Sequence, residues 1–207
     1  MRGYAIFPCI RWVMKKGDFP GRYRSGIFVF REKEMKKSLL MINTGDGKGK
    51  TTAALGLAFR AIGHGQNVCV IQFIKGSWKY GEIETAAKLN GHLEFHVMGR
   101  GFTWKSDNLE EDAALARNAW EMAKEKIASG KYRLVVLDEM TYLFLYGMLD
   151  EAEVIEFLKN RPEGVHVMIT GRNASKNLMA AADMVTQMEP VKHHYENGIK
   201  AQKGIEF

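Results

Sequence analysis

The chain has 207 residues, 46% of them apolar and 26% charged, with a formal net charge of +6. That length suits one α/β domain rather than two, and no apolar run reaches the ~20 residues a membrane-spanning helix needs. The charge is localised: residues 1–37 hold ten Lys/Arg and three Asp/Glu, whereas residues 38–207 hold twenty and twenty-one. A near-neutral body argues against a nucleic-acid partner.

Residues 1–34 show no sustained period. Only "SGIFVF", Ser25 to Phe30, has strand character there. The segment reads as an extension to a domain over residues 35–207, either a mobile arm or a stretch upstream of a start at Met35. The functional alternative is an arm that folds over a site, in its own or a neighbouring subunit. The opening "MRGYAIFPCIRWVMKKGDFP" scatters its charges and has no apolar core ending in a small-residue cleavage site, so no signal peptide is expected. The expectation is a cytoplasmic protein that makes no use of the membrane. Cys9 and Cys69 fall in no metal-ligand spacing and are expected to be free, with Cys69 buried in a strand.

From Ser38 onward, apolar runs alternate with helical patterns, which predicts a mostly parallel sheet flanked by helices. "LLMINT" is the first strand and opens a glycine loop. "TTAALGLAFRAIGHG" follows as a helix ending near Gly63 and Gly65, with His64 capping or packing at its end. "NVCVIQFI" has the continuous apolar character of a strand covered on both faces, and "LEFHVM" is a third, weaker strand. In "NLEEDAALARNAWEMAKEKIASG", the residues Leu115, Ala119, Met122, Ala123 and Ile127 recur at helical spacing, and Asp107 or Asn108 could cap the helix. "YRLVVLDEM", "VHVMITG" and "ADMVTQM" supply three more strands.

The chemistry concentrates at the ends of these strands. "TGDGKGKTT" carries the Gly49-Lys50-Thr51 end of a phosphate loop, placed between a strand and a helix as the motif requires. Thr44 stands where the usual spacing has its first glycine. Gly45, Gly47 and Gly49 let backbone N–H groups converge on phosphate oxygens, and the helix N-terminus adds positive potential. Lys50 would neutralise a terminal phosphate, and Thr51 would reach a magnesium ion. Downstream, "RLVVLDEM" ends an apolar strand in Asp138-Glu139, the form of the acidic strand that accompanies such loops. One of the two carboxylates binds the metal, and the residues leave open which.

A phosphoryl-transfer enzyme should also carry a base and a cluster of arginines. The body has six arginines without a clustered lid, and Arg172 in "ITGRN" is the best placed. Instead, a loop "MGRGFTWKSDN" displays Phe102 and Trp104. They suit a flat apolar ligand, with burial under the loop itself as the plain alternative. Asp46 in the glycine loop is unfavourable beside phosphates unless it points away or meets the metal.

The ordered series "NTGDGKGKTTAALGLAFRAIGHG", "VIQFIKGSWKYGE", "GRGFTW", "VVLDEMTY", "ITGRN" and "VKHHYENGIKAQKGIEF" resembles the ATP:corrinoid adenosyltransferases of the phosphate-loop type over residues 36–207. The resemblance implies a RecA-like phosphate-loop core and a homodimer. It implies transfer of the 5′-deoxyadenosyl group of ATP to the cobalt of a reduced corrinoid, with release of triphosphate. The nucleotide is then held reversed, with the loop on its γ end. By the same resemblance, Gly45, Gly47, Lys48, Gly49, Lys50, Thr51, Thr52 and Arg172 contact ATP, with Lys50 taking leaving-group charge. Thr51 and Glu139, with Asp138 nearby, hold Mg2+, or Mn2+ as an alternative. Phe102 and Trp104 pack on the corrinoid, and reduced flavin or flavodoxin donates electrons. The ending "KHHYENGIKAQKGIEF" is expected to close over the nucleotide or the subunit boundary. His193 and His194 are not expected to bind metal, because adjacent histidines point different ways. The rival readings are a kinase on the same core, a corrinoid carrier without turnover and, more distantly, a nucleic-acid motor.

Overall fold

The structure, a computed structural model, describes residues 38–74, 81–89, 91–99 and 109–206. These all fall within the unit Glu34–Phe207. The strand candidate Ser25–Phe30, Cys9, the cap candidates Asp107 and Asn108, and the aromatic pair Phe102 and Trp104 lie outside the described residues.

All six strands expected from Leu39 onward form, and they join one sheet. They are β1 (Leu40–Thr44), β2 (Val68–Gln72), β3 (Leu93–Val97), β4 (Leu134–Asp138), β5 (His166–Thr170) and β6 (Met184–Gln187). The order across the sheet is β3-β2-β4-β5-β1-β6, and every neighbouring pair is parallel. This is the parallel phosphate-loop α/β architecture expected from the sequence.

Helices α1 (Lys50–Gly63), α2 (Gly81–Lys88), α3 (Leu109–Ala128), α4 (Thr141–Leu145), α5 (Glu151–Lys159) and α6 (Lys176–Ala181) connect the strands. Because side chains alternate along a strand, each central strand feeds two cores. Leu40, Ile42, Cys69, Ile71, Leu137 and Ile169 pack on one face against Trp120, Leu143, Leu158 and Leu178. Met41, Val70, Val136 and Met168 pack on the other against Ala54 and Ala58 of α1. Cover on both faces explains why β2 and β4 read as continuous apolar runs. Cys69 is a free thiol within the first core, and burial pushes its pKa up to about 12, leaving it unreactive.

Two differences from the sequence reading have a clear origin. The buried stripe of α3 is Ala116, Ala119, Trp120, Ala123 and Ile127, whereas Leu115 and Met122 are only half-buried. Trp120 makes an edge-on contact with Phe157 of α5, at 5.4 Å between ring centres, and this large contact sets the rotation of the helix. The short helices α2, α4, α5 and α6 were not anticipated. The cap of α5 was legible all the same: Asp150 accepts from the N–H groups of Ala152 and Glu153.

Candidate nucleotide site

In the sheet, β5 lies between β1 and β4. Three C-terminal strand ends therefore stand side by side, bringing together the glycine loop, Asp138-Glu139 and Gly171-Arg172. Parallel sheets bind ligands in the crevice beyond these ends.

The loop is shaped by two glycines in left-handed conformation, Gly45 (φ 95°) and Gly49 (φ 109°). Gly49 is the residue before α1, so Lys50, Thr51 and Thr52 form the first helical turn. The backbone N–H groups of such a turn lack intrahelical acceptors. Lys50 is 8% exposed, and its Nζ donates to the carbonyls of Gly45 and Gly47, both at 2.8 Å. Burial lowers the Lys50 pKa and the Arg172 guanidinium adds to this, against the opposing pull of the Glu139, Asp46 and Asp138 carboxylates. Lys48 and Thr52 are exposed. Asp46 points outward and lies 3.7 Å from Arg172. Thr44 is the last residue of β1, and its hydroxyl accepts from the Ala174 N–H at 3.2 Å. A glycine there could not tie the end of β1 to the segment between β5 and α6.

The residues after β6 cross this loop. The Gly47 N–H donates to the Met188 carbonyl at 2.7 Å, and the Met188 N–H donates to the Thr44 carbonyl at 2.8 Å. A Cβ on Gly45 would stand 2.4 Å from the Met188 oxygen, and one on Gly47 would stand 2.8 Å from Met188 and Glu189 backbone carbons. These glycines therefore admit the close approach of the protein's own chain. Further on, Glu206 forms an ion pair with Lys48, and its Oε1 lies 2.8 Å from His194 Nε2. The rings of His193 and His194 stack with their centres 4.6 Å apart.

Asp138 and Glu139 divide the work of the acidic strand. Asp138 is fully buried. Its Oδ1 accepts from the hydroxyls of Thr51 at 2.8 Å and Thr170 at 2.6 Å, and its Oδ2 accepts from Gln72 Nε2 at 2.9 Å. Asp138 thus aims the Thr51 hydroxyl. Glu139 has a left-handed backbone (φ 62°), its N–H donates to the Thr170 hydroxyl at 3.0 Å, and it lines a cleft of about 640 Å³ with Lys50 and Thr51. Among the described residues no group of three or more His, Cys, Asp or Glu could hold a metal. A hydroxyl and one carboxylate are hard oxygen donors that fit Mg2+ or Mn2+, ions that take one or two protein ligands and share phosphate oxygens and water.

Residues 36–207 match the family model described as "ATP:corrinoid adenosyltransferase BtuR/CobO/CobP". The chain belongs to this family. The adenosyltransferase is 45% identical over 181 residues to a corrinoid adenosyltransferase from Sinorhizobium sp., covering 86% of this chain and 85% of that protein. It is 44% identical over 173 residues to the corrinoid adenosyltransferase of Escherichia coli K12, covering 83% and 87%. It is 45% identical over the same length to the corrinoid adenosyltransferase CobA of Salmonella typhimurium LT2, again covering 83% and 87%.

Within the adenosyltransferase, Gly45, Gly47, Lys48, Gly49, Lys50, Thr51, Thr52, Asp138, Glu139 and Arg172 gather at one end of the sheet. Gln72, Thr170 and Met188 also belong there and were not anticipated. Glu206, in the ending expected to close over the nucleotide or the subunit boundary, lies there too, though its pairing with Lys48 was not foreseen. Gln72 and Thr170 left a trace in the sequence, since each is a polar residue closing a strand after an apolar run. The backbone of Met188 left none.

Proposed function

We propose that the chain transfers the 5′-deoxyadenosyl group of ATP to the cobalt(I) of a reduced corrinoid and releases inorganic triphosphate. The observation that carries this reading is a phosphate-binding loop and acidic strand end, assembled in a chain that matches the adenosyltransferase family across residues 36–207. The corrinoid cobalt is substrate. Its electron pair attacks C5′ of the ribose, the C5′–O bond breaks, and that bond's electrons leave with the triphosphate. The protein needs no nucleophilic side chain for this step. Its task is to stabilise charge on the leaving group, where Lys50, Lys48, Arg172 and the backbone N–H groups of the loop act together. Thr51 and Glu139 would hold Mg2+ (or Mn2+), with Asp138 orienting Thr51, and the ion would supply further charge neutralisation on the phosphate oxygens.

The reading includes a nucleotide whose γ end lies in the loop, so that C5′ is open to the cobalt. Phe102 and Trp104 pack on the corrinoid and disfavour its lower axial ligand, which makes cobalt easier to reduce. The catalytic domain is residues 35–207, with residues 1–34 an extension. The enzyme works as a cytoplasmic homodimer with reduced flavin or flavodoxin as electron donor. The family match supports these assignments, and no helix among the described residues is long and apolar enough to cross a membrane.

The test is anoxic incubation with ATP, Mg2+ and chemically reduced cobalamin, following the visible spectrum and the phosphate products. A cobalt–carbon bond and triphosphate are expected. ADP would point to a kinase, and an unchanged spectrum to a carrier; either overturns the proposal.

A further inference from the structure

Among the described residues, three cationic groups around the phosphate loop are engaged by oxygens of the chain itself. Lys50 is held by two loop carbonyls, Arg172 lies near Asp46, and Lys48 is paired with Glu206. The last contact differs from the others because its carboxylate comes from 158 residues away and is built into place. The Glu206 side chain is 9% exposed, against 49% for Lys48. Its oxygen also meets His194, and its own N–H donates to the Gln202 carbonyl at 3.0 Å. Gly204, Ile205 and Glu206 form a wall of the same cleft as Lys48, Lys50 and Thr51.

We propose that Glu206 sets how tightly the leaving group is held: its carboxylate competes with triphosphate for Lys48 and thereby speeds release of the product. This rests on the reading above, in which triphosphate lies in the loop. A site that stabilises a departing polyphosphate also retains it after the reaction, and such retention limits turnover in many enzymes. A carboxylate poised on one of the gripping lysines counters this. It occupies the ammonium when the polyphosphate departs, and it repels the polyanion when both approach the same cation.

The experiment measures binding of inorganic tripolyphosphate with Mg2+ to the full chain by calorimetry at fixed salt. Glu206→Gln keeps the shape and a hydrogen-bonding oxygen but removes the charge. It is expected to bind about 5-fold more tightly than wild type, the upper end for one partly exposed ion pair. The gain should shrink in a Lys48→Ala background, where only direct repulsion between carboxylate and polyanion is left to remove and there is no shared cation to contest. Glu206→Ala serves as a second variant and should change affinity in the same direction. A structural lesion does not tighten binding, so unchanged or weaker affinity in both variants overturns the inference. A gain undiminished without Lys48 overturns it too. Failure of wild type to bind tripolyphosphate at all would instead remove the proposed function, and this inference with it.

Discussion

The Thr170 hydroxyl does two jobs at once. It donates to Asp138 Oδ1 and accepts from the Glu139 N–H, linking the carboxylate that aims Thr51 to the backbone that turns Glu139 toward the cleft. Left-handed backbone at a residue other than glycine costs about 1–3 kcal/mol and persists only where its surroundings impose it. Thr170→Val keeps the shape and removes both bonds. We expect it to weaken Mn2+ binding in the presence of ATP about tenfold, the lower end for residues that orient metal ligands. Thr170→Ser should restore most of the loss, with both variants read by electron paramagnetic resonance of the bound ion. Unaltered Mn2+ affinity in Thr170→Val would contradict this role. At this scale, the loop residues proposed to meet phosphate were visible from their spacing, because phosphate chemistry restricts such positions to a few types. Their supports Gln72 and Thr170 showed only as polar residues closing apolar runs, because a buried polar group declares its partner only once the strands are side by side.

At the level of elements, the glycine loop is one half of a pair. Its other half is the segment after β6, and the two close on each other through Gly47, Met188 and Thr44. Gly45→Ala would place a methyl 2.4 Å from the Met188 oxygen, at a backbone conformation that favours glycine. We expect a loss of about 1–3 kcal/mol and weaker nucleotide binding, measured by denaturant unfolding and calorimetry. Gly56→Ala is the contrast. It lies within α1 with nothing within 4 Å of the added atom, and it should raise stability by about 0.5–1 kcal/mol through helix propensity. If the two substitutions shifted stability alike, close packing would not be what restricts Gly45. The strands and the long helices α1 and α3 were readable because burial gives them a period. The rotation of α3 was not, since it depends on where Phe157 lies.

Across the molecule as a whole, stability carries an acid-sensitive component far from the loop, near the start of β3. Burial tends to raise the Glu94 pKa, but hydrogen bonds from Lys126, Tyr132 and His96 outweigh it and hold the value at about 2. The folded carboxyl is thus more acidic than the unfolded one. Its contribution is present above the ordinary carboxylate range and is lost as pH falls from about 4.5 toward 2. Urea unfolding of wild type and Glu94→Gln should show wild type ahead at pH 6, with the gap narrowing at pH 3. A gap independent of pH would rule this out.

The amino-acid sequence by itself determined the parallel α/β class, the phosphate loop, the acidic strand end and the family. Each rests on local spacing or on a short apolar period, which needs no partner to be recognised. Tertiary structure decided which carboxylate aims Thr51 and which lines the cleft, because that follows from β5 lying between β1 and β4. It also decided that a C-terminal carboxylate meets Lys48, a contact across 158 residues. Such a pairing comes about only when the fold closes, and no local pattern of residues encodes it.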